Sequence, residues 1–384
     1  MMNFTMNAKE LRTMIDKAAS ATMKKSCIPG LSRVYLEVDS DGTVKAFGTD
    51  IDHFVEARSD SAKNTVPGMI GIELPDMKVI SKANGDITLT ENEDYTTVKM
   101  GKKVVGIPLY TEKVISMPDV ESKRHIMTAK ESWLLDTIKN LSVFSSHNEE
   151  DSRPMFHFFN FNTSEFRIEA IDGCRIAYRD LPSEYVKMMG ENVLLHNKCV
   201  PVFKKLMKYY ENDINIYQNE KYISIEGCDF TYVIRRKADL QFFDIKYYVN
   251  CDIGFSFNVD RGNILSVIKY ANDLNKNKLP IIFHCENDNL YTYLKTSDYK
   301  ILDDVDIENH YGINFDIGFN TRFLVDALDV IDSDYVSCRG IEDSKALLFD
   351  GKEYHFVILP VHPGTIPTET IDEMNDYIRK HKAS

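Results

Sequence analysis

Cys174 stands directly beside Arg175, a pairing that can favour a thiolate and make a nucleophile. Such a nucleophile needs a base, and no histidine lies near it in sequence. The remaining thiols, Cys27, Cys199, Cys228, Cys251, Cys285 and Cys338, bring the count to an odd seven with no CxxC pair. Scattered, unpaired cysteines of this kind are expected to be reduced thiols in a cytoplasmic protein. The ten histidines contain no HExxH, and His355 and His362 flank an apolar run at a spacing that suits no metal site. Carboxylates crowd together at Asp303-Asp304-Val305-Asp306 and at Asp332-Ser333-Asp334, where polar surroundings read as solvated turns rather than paired catalytic acids. Walker A, GxGxxG and GxSxG patterns are missing. The expectation is a protein that is not an enzyme and takes no cofactor or metal.

The chemistry that does stand out is cationic. The net charge is −13, yet residues 8–25 carry +3, 74–85 carry +1, 129–147 are neutral, 196–212 carry +3 and 260–278 carry +2. Only 320–334, at −3, break the pattern, so these segments together hold +6 and the rest of the chain −19. An acidic chain does not coat nucleic acid everywhere, but one local basic surface can meet phosphates without reading bases.

Those segments are all predicted helices, and their setting repeats. Three stretches, from Asn3, His125 and Gly254, each read as a short strand followed by an amphipathic helix. The apolar faces are Leu11, Met14, Ile15 and Ala18; Leu134, Leu135, Ile138 and Leu141; and Ile264, Leu265, Ile268 and Ala271. Strands follow each helix, as in Leu31 to Phe47 around Ser40-Asp41-Gly42, Met155 to Ile171, and Pro280 to Leu294 with a turn at Asn287-Asp288-Asn289. A second strand–helix unit follows in each copy, with junctions at Pro75, Asn197 and Asn320, and more strands close it. A period of about 120 residues exceeds any solenoid unit. It predicts three homologous α+β domains, residues 1–122, 123–252 and 253–363, each with β-sheets and two helices, joined without flexible linkers.

Length and composition suit this plan. A chain of 384 residues, 43% hydrophobic and rich in Tyr and Phe, can bury several cores and favours β structure. No apolar run is long enough to span a membrane, and charges interrupt the N-terminal segment where a signal peptide has its apolar core.

One hairpin connects the repeat to a function. FRIEAIDGCRIAYRD, Phe166 to Asp180, alternates as a strand, turns at Asp172-Gly173 and resumes as a strand. Its Ala170 to Ala177, AIDGCRIA, is similar to the "ATDGHRLA" of the bacterial sliding clamp, the β subunit of DNA polymerase III. Three further passages carry the same resemblance: Asn3-Phe4-Thr5 through Ile28-Pro29-Gly30-Leu31; Asp316-Ile317-Gly318-Phe319-Asn320 with Leu324-Val325-Asp326-Ala327-Leu328; and Tyr354 to Val361, YHFVILPV. Their order and spacing on a three-fold repeat cover nearly the whole chain.

The resemblance implies three clamp domains per subunit and a head-to-tail homodimeric ring, with helices lining the hole and sheets on the rim. Duplex DNA would pass through the hole on non-specific phosphate contacts, for which Arg12, Lys24, Lys25, Lys198, Lys204, Lys205, Arg261, Lys276 and Lys278 are the candidates. The seam would involve Val105 and Ile107 and the third domain's first helix. The function implied is a processivity factor that tethers the replicative polymerase, the clamp loader and repair proteins through a short apolar motif.

The cleft for that motif carries over to Phe156, Ile171, Gly173, Cys174, Arg175 and Ile176, to Phe243, Tyr247 and Tyr248, and to Ala346, Val357, Ile358, Leu359, Pro360, Val361, His362 and Pro363. Departures from the family are Cys174 for His, Phe243 for Pro, Tyr247 for a basic residue, His362 for Arg and Pro363 for Leu, which make the groove more aromatic and less basic. Residues 364–384 extend beyond the family's usual end. Thr370 and Glu373 have capping-box spacing, and Ile371, Met374 and Ile378 can share a helical face. Two readings stay open for the extension, a mobile tail or a short helix beside the cleft that competes with partners. An alternative for the whole chain is a clamp-like scaffold that binds proteins without encircling DNA. A further one, an unrelated nucleotide- or sugar-modifying enzyme, lacks any cofactor motif.

Overall fold

The computed structural model describes every residue except 29, 113–114, 149, 209–210, 287–288, 343–344, 362–365 and 383–384. Pro29, the turn residues Asn287 and Asp288, and the cleft candidates His362 and Pro363 therefore lie outside the described residues.

The chain forms two compact units, Met1–Ile138 with Pro182–Asp239, and Lys139–Leu181 with Leu240–Ser384. The first contains a five-stranded antiparallel sheet in the order Lys63–Val66, Asn3–Asn7, Asp86–Glu91, Tyr95–Met100, Lys103–Pro108. It also contains an eight-stranded sheet that runs Arg124–Lys130, Asp213–Gln218, Tyr222–Glu226, Phe230–Arg235, His53–Ser59, Val44–Thr49, Arg33–Val38, Gly68–Glu73. In the second unit, successive strands of one sheet are Phe158–Asn162, Arg167–Ile171, Arg175–Asp180, Tyr354–Ile358, Leu347–Asp350, Tyr335–Ile341, Ile253–Asp260 and Ile307–Gly312. Its four-stranded sheet runs Lys300–Val305, Asn289–Lys295, Pro280–Glu286, Phe315–Asn320.

The strand–helix plan appears in all six expected places. Strand Asn3–Asn7 leads into helix Ala8–Ala19, Arg124–Lys130 into Glu131–Leu141, and Ile253–Asp260 into Arg261–Leu274. The second units are Gly68–Glu73 with Met77–Ser81, Asn192–His196 with Cys199–Leu206, and Phe315–Asn320 with Thr321–Val330. At three of the junctions the reason is local: Asn7, Asp260 and Asn320 end the strand and cap the helix with their side chains. Asn7 accepts from the Lys9 amide at 3.0 Å, and Asp260 from that of Asn263 at 2.7 Å. The apolar faces read from the sequence are the buried ones, with Leu11, Leu134, Ile264 and Leu324 all fully buried.

Several helices are shorter than their charge patterns suggested. The first ends at Ala19, so Lys24 and Lys25 sit in the following loop, and the fourth ends at Leu206. The acidic run at Asp303-Asp304 is no turn: it lies in strand Lys300–Val305, paired to Asn289–Lys295. Pairing with a neighbouring strand overrides the poor strand propensity of Asp.

The extension is a helix, Thr368–Lys382. Thr370 lies inside it rather than at its cap, with its amide bonded to the carbonyl of Pro367 at 2.9 Å. Met374 is wholly buried against Ile282 and Tyr293 of the four-stranded sheet. No described helix is long and apolar enough to cross a membrane.

Candidate functional site

The hairpin Arg167–Ile171/Arg175–Asp180 is built around Asp172 and Gly173. One carboxylate oxygen of Asp172 accepts from the Cys174 amide at 3.0 Å and the Arg175 amide at 2.8 Å. Gly173 has φ +89°, and a Cβ there would meet the Phe156 ring at 2.6 Å. Only glycine satisfies both demands. Along the hairpin, buried Glu169 accepts from Arg167 at 2.6 Å and from Asn160 at 2.7 Å.

The hairpin meets the chain's last strand. Arg175–Asp180 pairs antiparallel with Tyr354–Ile358, in the register Ile176↔Val357 and Arg175↔Ile358. Beyond the last paired residues, the amide of Leu359 donates to the carbonyl of Cys174 at 3.0 Å. Segments nearly 180 residues apart in sequence thus become neighbours in one sheet. On one face Phe156, Ile171, Ile176, Ala346 and Val357 form a single apolar cluster, with Tyr248 and Leu359 packed against it. Beside it Phe243 and Tyr247 are 43% and 54% exposed, and both rings contact Tyr248, at 6.3 and 5.1 Å between centroids. This is a buried apolar cluster edged by exposed aromatic rings, a setting in which an extended or turned apolar peptide can be captured.

Strand alternation removes two candidates from that face. Ile358 is buried on the side opposite Val357, and Arg175 on the side opposite Ile176. Arg175 instead binds Asp172 at 2.8 Å, Asp326 at 2.7 Å and the carbonyl of Val143 at 2.9 Å, between the rings of Phe144 and Phe323. It fastens the turn from behind and offers no charge to the groove. The Cys174 thiol is on the exposed side, but desolvation and then Asp172 push its pKa up, so the activated thiolate does not arise. Pro360 and Val361 are half-buried, and Val361 leaves this cluster for the four-stranded sheet, donating its amide to the carbonyl of Gly318 at 2.9 Å.

The sequence missed Arg153, whose guanidinium lies 4.4 Å over the Phe156 ring while binding Asp151 at 2.9 Å. It also missed Ile245, Tyr178, Ile341 and Leu348, which complete the buried cluster. The strand residues Tyr178 and Leu348 follow from period two; Arg153 sits in a loop with no periodic signal.

The cationic candidates divide. Lys24, Lys25, Lys198, Lys204 and Lys205 are exposed in the first unit, and Lys276 and Lys278 in the second. Arg12 and Arg261 are engaged in the fold: Arg12 donates to the carbonyl of Ala83 at 3.0 Å and Arg261 to that of Leu328 at 3.0 Å. Lys17 is buried against Asp229 at 2.6 Å and adds nothing to a phosphate-facing surface, while the exposed Lys269 pairs with Asp329 at 2.6 Å. In the second unit Lys276, Lys278 and the 74% exposed Arg322 border a polar cavity of about 590 Å³ together with Asn272 and Thr321. Arg322 was hidden in a segment of net negative charge.

The seam candidates Val105 and Ile107 pack into the core of their own unit, while the preceding Val104, which alternates to the other face, is 60% exposed. Their strand, Lys103–Pro108, is the outer strand of its sheet, as Lys300–Val305 is of the four-stranded sheet.

No family model matches the chain. Curated relatives do. The chain is 21% identical over 377 residues to the beta sliding clamp of Staphylococcus aureus, covering 92% of this chain and 96% of the relative. It is 23% identical over 374 residues to that of Lactococcus lactis, covering 89% and 93%. Among solved structures, a putative DNA polymerase III beta subunit from Eubacterium rectale superposes with a TM-score of 0.85 at 19% identity, covering 95% of this chain and all of the other. The DNA polymerase III subunit beta from Pseudomonas aeruginosa gives 0.84 at 20%, covering 94% of this chain and all of the other. The fold is the one those proteins share.

Proposed function

We infer that this chain is a member of the bacterial sliding-clamp family and works as a DNA sliding clamp, a non-catalytic processivity factor that holds a polymerase on duplex DNA. The observation that carries the reading is the strand pairing of Arg175–Asp180 with Tyr354–Ile358, which gathers Phe156, Ile171, Ile176, Ala346 and Val357, residues that the resemblance assigns to the partner cleft, into one apolar cluster. Full-length likeness to curated clamps supports it.

The mechanism follows from charge and connectivity. Exposed lysines at Lys24, Lys25, Lys204, Lys205, Lys276 and Lys278 supply non-specific phosphate contacts that exchange as the ring moves. The acidic remainder of a chain of net charge −13 disfavours DNA elsewhere. Retention then comes from topology rather than from tight binding. The groove takes a short apolar motif of the polymerase, clamp loader or repair protein. Its aromatic edge at Phe243 and Tyr247 favours a motif with a ring or a large aliphatic side chain.

The ring requires a homodimer of three-domain subunits, residues 1–122, 123–252 and 253–363. Two outer strands are suited to meet in it. Lys103–Pro108 follows Lys102 and begins with Lys103, whereas Lys300–Val305 carries Asp303 and Asp304 and precedes Asp306. Pairing the two edges across the seam satisfies their outward backbone groups and sets opposite charges together. The setting is the cytoplasm, where the DNA is. The experiment that tests the function assembles the protein around a nicked circular duplex and asks whether linearising the DNA releases it.

A further inference from the structure

The four-stranded sheet of the second unit would ordinarily have one packed face and one wet face. Its inner face carries Phe283, Cys285 and Phe319, all fully buried. The other face presents Ile282, Tyr293 and Leu302, which lie side by side on three neighbouring strands through the pairs Ile282↔Tyr293 and Tyr293↔Leu302. Helix Thr368–Lys382 covers this face. Met374 sits at its centre, with Ile371 and Ile378 one turn to either side, and Ile366 before the helix rests over Gly318. A Cβ at Gly318 would lie 2.3 Å from Ile366, so the sheet is open there for the incoming chain. No residue of the helix belongs to the apolar cluster of the groove.

The outer strand gains the most from this cover. Lys295 and Lys300 are direct cross-strand partners at the start of Lys300–Val305, and like charges placed opposite one another push strands apart. Glu373 of the helix binds both ammonium groups, and the two lysines hold its carboxyl below the usual carboxylate range. Leu302, on the same outer strand, packs beneath Met374. Without the helix, this strand has one neighbour, a repulsive lysine pair at one end and an exposed apolar face. An edge in that condition frays.

We propose that helix Thr368–Lys382 is a brace that holds the outer strand Lys300–Val305 flat and in register to receive the edge of a second copy of this chain. The proposal rests on the ring reading above and deepens it, by assigning the C-terminal extension to seam strength rather than to the partner groove. Met374, Glu373 and Ile371 are the positioning residues.

The test compares the full-length chain with Met374→Asp, which releases the helix, and with Glu373→Lys, a change at a half-buried side chain outside the apolar cluster that removes the bridge to Lys295 and Lys300 and restores the repulsion. Three quantities are read: the dimer dissociation constant by sedimentation over a dilution series, hydrogen exchange of residues 300–305, and binding of an apolar clamp-motif peptide. The brace predicts a constant at least tenfold weaker for Met374→Asp, an intermediate loss for Glu373→Lys, and faster exchange at 300–305 in both. Binding of an apolar clamp-motif peptide to the groove stays within twofold in each. An unchanged dimer constant in Met374→Asp, with exchange showing the helix released, overturns the brace while leaving the ring intact. A wild-type chain that stays monomeric overturns the ring reading itself, and the seam role with it. Lost peptide binding with an unchanged dimer assigns the helix to the groove instead.

Discussion

The carbonyl of Cys174 and the amide of Leu359 share a hydrogen bond of 3.0 Å, which continues the strand pairing of the hairpin and the C-terminal strand past its last paired residues. That bond joins the tip of one wall of the apolar groove to the start of the other. It explains why a turn in the middle of the chain and a strand near its end must be judged together.

Leu359 packs against the groove cluster without being fully buried. Replacing it by Asp places a charge on the apolar surface while leaving the backbone bond to Cys174 available. Leu359→Asp is expected to weaken an apolar motif peptide by at least 100-fold in a fluorescence anisotropy titration, with sedimentation unchanged. Binding within a few-fold of wild type would remove the groove from the account.

Gly173→Ala combines a left-handed backbone with a clash on the Phe156 ring, at φ +89° and 2.6 Å. The backbone alone costs on the order of 1–3 kcal/mol. The variant should melt at a lower temperature by calorimetry and bind the peptide less well, because Phe156 must leave its place. Normal melting with normal affinity would show that the turn tolerates another geometry.

Exposed lysines that meet phosphate leave a salt signature. Each contact removed lowers the slope of log affinity against log salt by about 0.9. Lys204→Ala with Lys205→Ala should reduce the slope for a short linear duplex by up to about 2. Retention on a closed circle should hardly change. Arg12→Ala is expected to act on stability instead, since Arg12 is bonded to Ala83.

His355 lies between Asp350 at 2.9 Å and Asp180 at 3.4 Å and stacks on Tyr178. Burial alone would lower its pKa, but hydrogen bonds and charge from Asp180 and Asp350 prevail and raise it to about 9. The folded value exceeds the unfolded value of about 6.5. The stabilisation is therefore complete below pH ~6.5 and is lost as the pH rises through about 9. It amounts to at most about 3 kcal/mol. Melting curves from pH 6 to 10 should show wild type losing more stability than His355→Gln. Parallel curves would assign the histidine no linkage.

Tyr293 is fully buried beneath the C-terminal helix, and its hydroxyl has no hydrogen-bond partner among the described residues. A buried unpaired hydroxyl costs about 1–3 kcal/mol. Tyr293→Phe keeps the ring and removes that cost, so the helix should resist limited proteolysis longer than in wild type. Faster cleavage would show that the hydroxyl serves the packing.

The hairpin was readable because Asp172-Gly173 marks a turn and apolar residues alternate on either side of it. The strand–helix units were readable from apolar residues at helical spacing after a short strand and from their recurrence about every 120 residues. Orientation was less accessible. Resemblance carried Arg175 and Ile358 to the groove as members of a motif, while the two-residue period of the strands turns both to the other face. Arg12, Lys17 and Arg261 count as positive charge in a sequence, but whether such a charge faces solvent depends on carbonyls and carboxylates remote in the chain. Strand Lys300–Val305 read as a turn because aspartates disfavour strands, and only its neighbour shows otherwise. In the extension, the helical face of Ile371, Met374 and Ile378 was legible; the sheet it covers was not.

The central claim is that two copies close around DNA and are held by topology. The most direct measurement assembles labelled protein around a nicked circular duplex, removes free protein by gel filtration at high salt, and then cuts the circle once with a restriction enzyme. The account predicts that protein stays with the circle and leaves within the dead time after cutting, with a dimer mass before and after. Protein that never co-elutes with the circle, or that remains bound equally to circle and cut DNA, would contradict it.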